Sequence, residues 1–150
     1  MDRPNYQAEY QAQADAAPIQ LQGKTQVLNM DYKTAALLCY VPICLINLVA
    51  SLVFVQSEPQ ENRFVRFHAM QSLVMTIAFM VVGIAVWTVA LVLGAIPLIG
   101  GVLALVLNLA WLALCGVYLW QSILGLIAAS KGEMLHIPYA GQLAEERLAQ

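Results

Sequence analysis

Residues 69–130 contain no Asp, Glu, Lys or Arg. Leu, Val, Ile, Ala, Gly, Met and aromatic residues fill nearly all of that stretch. A water-soluble domain of 150 residues cannot bury such a segment, whereas lipid removes the need to bury it. Hydrocarbon offers the backbone no hydrogen-bond partner, so the segment must be helical, with each N–H and C=O satisfied inside its own helix. The rest of the chain agrees. Hydrophobic residues make up 61% and charged residues 11%, against about 25% charged in soluble proteins. A net charge of -2 offers no basic footprint, and nucleic acid is not an expected partner.

The sequence therefore predicts an all-α integral membrane protein with three transmembrane helices, over residues 35–55, 69–93 and 102–129. Each meets the requirement of ~20 apolar residues, and the last is long enough to tilt. Pro97, Gly100 and Gly101 mark residues 94–101 as a tight turn. Pro42 bends the entry to the first span, and Tyr40 reads as an interfacial anchor. Asn47 and Asn108, amides within apolar helices, read as interhelical polar packing. Residues 1–34 form a polar tail with neither a signal-peptide nor a transit-peptide pattern, and residues 131–150 form a second polar tail.

The connection between the first two spans holds the most information. Ser57, Pro59 and Gln60 read as a helix start with Ser57 as N-cap. A helix from there would run unbroken into the second span. Arg63 and Arg66 then share one side of the helix, and Phe64, Phe67 and His68 lie on another. That arrangement suits an interfacial amphipathic entry that contacts lipid headgroups or partners. Further in, antiparallel packing of the last two spans brings Gln71 and Ser72 level with Gln121 and Ser122, and Ser51 falls at a similar depth. These five residues predict an intramembrane polar layer, with His68 one turn further out. Such a layer is a candidate vestibule or headgroup pocket.

The spans contain no nucleophile–base pair, metal-ligand cluster or paired carboxylates, so neither an enzyme nor a cofactor or metal site is expected. Cys39, Cys44 and Cys115 read as small buried hydrophobes. Three spans place the termini on opposite sides. Lys24 and Lys33 stand near the spans on one side; Arg63, Arg66, Lys131 and Arg147 stand on the other. Positive charge favours the cytoplasm, which predicts a cytoplasmic 56–71 connection and C-terminus with the N-terminus outside.

Two motifs carry a family resemblance: Phe64-Val65-Arg66-Phe67-His68-Ala69-x-Gln71-Ser72, and Lys131-Gly132-Glu133 followed by Pro138. With the three-span layout, they resemble small bacterial membrane proteins of unknown function. That group is related to the twenty-kilodalton subunit of the chloroplast inner-envelope import translocon, and it includes magnetosome-membrane proteins. Here Met134, Leu135 and His136 replace the aromatic and basic residues common before the proline. The resemblance implies a location in the bacterial inner membrane and homo- or hetero-oligomeric association. The resulting expectation is a non-enzymatic scaffold or assembly component in the lipid bilayer. The alternative is a subunit of an oligomeric channel, transporter or translocation pore.

Overall fold

A computed structural model describes residues 21–97, 99–137 and 140–148, and all regular elements among them are helices. Chain order gives α1 (Tyr32–Leu38), α2 (Cys44–Ser57), α3 (Arg63–Gly94), α4 (Gly100–Lys131) and α5 (Ala140–Leu148). The polar tail before residue 21, Pro138 of the second motif and the last two residues lie outside the described residues.

Helices α3 and α4 have 32 residues each, about 48 Å at ~1.5 Å per residue. They are long and apolar enough to cross a membrane and pack against each other as a hairpin. The turn between them contains Pro97, and the amide of Gly100 bonds to the Ile96 carbonyl. At its other end α4 stops at Gly132, which takes the left-handed φ of 81° and donates to the Ala128 and Ala129 carbonyls. Glycine adopts that conformation without the Cβ penalty.

The expected first span is not one helix. Pro42 has no N–H to donate and crowds the preceding turn, and it disfavours helical backbone at Val41. The chain leaves α1 after Leu38 and re-enters a helix at Cys44. Seven residues in α1 and 14 in α2 are each well short of the ~20 needed to span.

The two ends of this broken segment lie at the same end of the molecule. The Gln26 amide donates to Glu58 Oε1 at 2.9 Å. A Cβ built on Gly132 would lie 3.1 Å from Leu21 and 3.4 Å from Lys33. Residues 21–33 thus sit beside the start of α3 and the end of α4, and the chain from α1 to α2 goes in and comes back. The described N-terminal residues thus share an end of the molecule with the C-terminal segment, where the sequence predicted the two apart.

The start of α3 also differs from expectation. Glu58, preceding Pro59, is extended at φ -81° and ψ 138°, as a residue before proline prefers. The helix ending at Ser57 therefore cannot run on. The new helix takes Asn62 as its cap, whose Oδ1 accepts from the Val65 amide at 3.4 Å. Asn62 Nδ2 donates to Glu58 Oε2 at 2.7 Å, which holds a carboxylate at the positive end of α3.

Burial divides the hairpin. Most buried residues of α3 fall between Phe64 and Thr76, and those of α4 between Ser122 and Ala129. Beyond them the surface is apolar and open, with Leu91 72% and Leu112 67% exposed. In the buried half, α1 packs on α3 and α4, α2 on α3, and α5 on α3. Gly125 permits the closest approach, since a Cβ there would collide with the Tyr40 ring. Gly125→Leu should lower stability by about 1–3 kcal/mol through overpacking, measured by unfolding in mild detergent. Gly116→Leu, where a Cβ meets nothing within 4 Å, should leave stability unchanged or slightly higher. Equal losses in both variants would contradict this packing.

Candidate functional site

The break in the first apolar segment exposes a backbone carbonyl, and the surrounding side chains converge on it. Asn47 Nδ2 and Ser72 Oγ both donate to the Cys39 carbonyl oxygen. Asn47 Oδ1 in turn accepts from Thr76 Oγ1 at 2.8 Å, and the Ser72 oxygen, its proton given to the carbonyl, lies 3.0 Å from it. The Thr76 proton is thereby used, so the contact at 3.1 Å between Thr76 Oγ1 and Tyr118 Oη has the tyrosine as donor. Asn47 on α2 thus joins α3 directly, and Thr76 passes the connection to α4.

One turn nearer the charged end lies a second set of bonds. Gln71 Nε2 donates to Tyr40 Oη at 3.0 Å, and Tyr40 Oη lies 3.2 Å from His68 Nδ1. His68 Nε2 lies 3.2 Å from the Glu133 carbonyl. A carbonyl oxygen only accepts, so Nε2 carries the proton of the neutral ring. Nδ1 then accepts from the tyrosine, and each of the three links in the chain Gln71–Tyr40–His68–Glu133 has one donor and one acceptor. Gln71 Oε1 accepts from the Ile137 amide at 3.4 Å. Around the imidazole stand three rings edge-on: Tyr40, Phe64 and Phe67, with centroids 5.6, 4.7 and 5.5 Å away. Phe67 also meets His136 at 5.0 Å.

These contacts revise the role of the entry segment. Phe64, Phe67 and His68, expected on headgroups or partners, are buried inside the protein. The reason is the C-terminal segment, which folds back over this face of α3 and takes the place of lipid. Arg63 remains exposed. Arg66 is half-buried and donates through Nη1 to the Glu58 carbonyl at 3.4 Å.

Of the expected polar layer, Gln71 and Ser72 lie buried within the two sets of bonds. Ser51 is buried on α2 but joins neither. Ser122 is buried, yet its hydroxyl turns back to the Tyr118 carbonyl on its own helix at 2.9 Å. Gln121 does not reach the layer; it lines a groove on α4. The five residues therefore do not form one vestibule. Asn108, expected between helices, is exposed and donates to Ala104 of its own helix at 2.7 Å.

Tyr40, expected as an interfacial anchor, is instead buried and bonded to Gln71 and His68; Thr76, Tyr118 and the Cys39 carbonyl were not expected in the site. Thr76 follows Ser72 by one helical turn, which was a visible signal. The carbonyl had none, because a helix break shows the chain position of a free backbone group and not where it points. Among the described residues no group of His, Cys, Asp or Glu is arranged to hold a metal ion.

The two motifs singled out in the sequence are thus one structure: His68 and Gln71 of the first hold the backbone of Glu133, in the second, and of Ile137 just beyond it. The model of the magnetosome magnetite crystal formation protein family, MamF/MmsF, matches residues 31–144. The chain belongs to that family. The match begins at the N-cap of α1, Asp31, and ends at Ala144, the last buried residue described on α5, so it takes in the whole interlocked unit. Two UPF0132 membrane proteins of Methanocaldococcus jannaschii are similar to the chain. MJ1527 is 32% identical over 122 residues, covering 81% of this chain and 74% of its own length. MJ1443 is 32% identical over 124 residues, covering 83% and 94%. No solved structure matches. The MamF/MmsF family and these relatives make the chain one of a group of membrane proteins of unknown function; the relation to the import translocon gains no support from them.

Asn47→Leu should cost about 1–3 kcal/mol, because it strips partners from the Cys39 carbonyl and from Thr76. Asn108→Leu removes only a bond within one helix turn and should change single-chain stability by less than about 0.5 kcal/mol. Thermal unfolding of the detergent-solubilised monomer separates the two, and equal losses would contradict the assigned network.

Proposed function

We infer that this chain is a non-enzymatic scaffold or assembly component of a cytoplasmic membrane. One observation carries the reading. Tyr40, Asn47, His68, Gln71, Ser72 and Thr76 are buried and bonded to one another or to nearby backbone. Both nitrogens of His68 are engaged, which supports a role in holding the fold together rather than in proton transfer. The polar groups of the inner half lock three parts of one chain together, and the outward surface is left for lipid and other membrane helices.

In this reading α3 and α4 are the two spans, and the pair α1–α2 is a re-entrant hairpin. Lys24, Lys33, Arg63, Arg66, Lys131 and Arg147 then all belong to one side, and the 94–101 turn carries no charge. The positive-inside tendency places that basic side in the cytoplasm, together with both tails. The oligomeric partner would meet the open half of the hairpin. Asn108 supports this: an exposed amide among Leu105, Leu109 and Leu112 favours a hydrogen-bonding neighbour from another helix over hydrocarbon.

Topology tests the spans. With native cysteines replaced by Ala, single cysteines at Lys24 and Gly101 should differ in intact cells. A membrane-impermeant maleimide should label Gly101→Cys and spare Lys24→Cys; labelling of both from one face would rule out the two-span arrangement. Assembly tests the role. The protein solubilised from its own membrane should run larger than a monomer, and Asn108→Leu should shift it toward the monomer. A ring with an open polar axis would replace the scaffold reading with the channel one.

A further inference from the structure

A groove of about 340 Å³ runs between α3 and α4, and none of its lining comes from α1 or α2. Val74, Ala78 and Val82, on successive turns of α3, form one wall; Leu114, Val117 and Gln121 of α4 form the other. Leu143 of α5 closes the end nearest the charged side. The walls open sideways onto the apolar surface of the hairpin, with Val82 and Val117 half-exposed. The size lies within the ~300–1,000 Å³ usual for small-molecule sites.

We propose that this groove binds one acyl chain of a bilayer phospholipid, with the lipid's ester region held by the Gln121 amide. Three observations point to that ligand. The first is position: the groove opens along two spans, where an unfilled cleft loses van der Waals contacts and the apolar matter at hand is acyl chain. The second is Gln121. Its amide makes no hydrogen bond with any described residue, whereas its neighbour Tyr118 is engaged by Thr76. A free donor and acceptor at one end of a long apolar groove match a ligand with a polar acceptor at one end of a long apolar chain. The third is the closing helix. Gln71 and His68 hold the segment leading to α5 by its backbone, and this sets Leu143 across the groove end beside the charged side. The buried polar cluster thereby acquires a consequence for binding: it positions the helix that ends the groove.

The test uses the full chain in nanodiscs of palmitoyl-oleoyl phosphatidylethanolamine and phosphatidylglycerol, released into mild detergent for native mass spectrometry. The unaltered protein should keep one phospholipid per chain. Ala78→Trp, which fills the groove, should lose it. Val81→Trp, on the exposed flank of the same helix, should keep it. Gln121→Leu should weaken retention several-fold. Lipid-free unaltered protein, or equal retention by Ala78→Trp, would overturn the proposal. Should Ala78→Trp not fold, Trp111 in the groove lining answers instead. With Trp87→Phe and Trp120→Phe, phospholipid brominated along its chains should still quench Trp111 after bulk lipid is removed; full recovery of fluorescence counts against the site. The readout is bound lipid, not topology or assembly, so its failure leaves the scaffold reading standing.

Discussion

A backbone carbonyl released inside an apolar region must find a donor within the protein, because lipid supplies none. The Cys39 carbonyl is that group here. Pro42 stops α1, the carbonyl is left outside any helix, and Asn47 and Ser72 both turn to it. That one demand fixes α2 against α3. Once α2 is held there, its far end must come out beside Glu58, at the same end from which α1 entered. The path of the chain from Tyr32 to Ser57 follows from satisfying a single oxygen.

The second constraint is the grip of α3 on the C-terminal segment. It is made through backbone atoms of the held segment, the Glu133 carbonyl and the Ile137 amide, and through side chains of the holder, His68 and Gln71. Met134 and Leu135 stand between them, where a change of side chain leaves the held backbone atoms in place. A grip on backbone tolerates such changes, because it reads the path of the segment and not its side chains. The same grip buries Phe64 and Phe67, which by pattern alone belonged at a membrane surface.

Much of the fold was legible. The uncharged stretch 69–130, interrupted by Pro97 and two glycines, specified the α3–α4 hairpin, since apolar length and helix breakers are properties of local sequence. The first apolar segment satisfies the length rule by composition, yet Pro42 divides it into two helices, α1 and α2. Ser57 looked like a cap by pattern, yet Pro59 imposes extended backbone on Glu58 and passes the role to Asn62. Within the candidate site, Gln71 and Ser72 stand out in the sequence as polar residues in an apolar helix, and both are buried. Their true partners, Tyr40 and the Cys39 carbonyl, lie more than thirty residues away along the chain, and spacing on one helix holds no information about them.

The sequence by itself determined the solvent and the secondary structure. So long a run without charge is stable only in lipid, and lipid admits only self-satisfied helices here. It also determined that the ends of the chain are polar and the hairpin turn uncharged. What the tertiary structure alone decided is which apolar segment turns back, where the two motifs meet, and which amides are spent inside the chain. Asn47 and Asn108 show the difference: both are amides in apolar helices, one buried against a freed carbonyl and one left on the open face. Local sequence cannot separate them, because burial depends on which helix arrives alongside, and that is settled only when every buried polar group has found its partner.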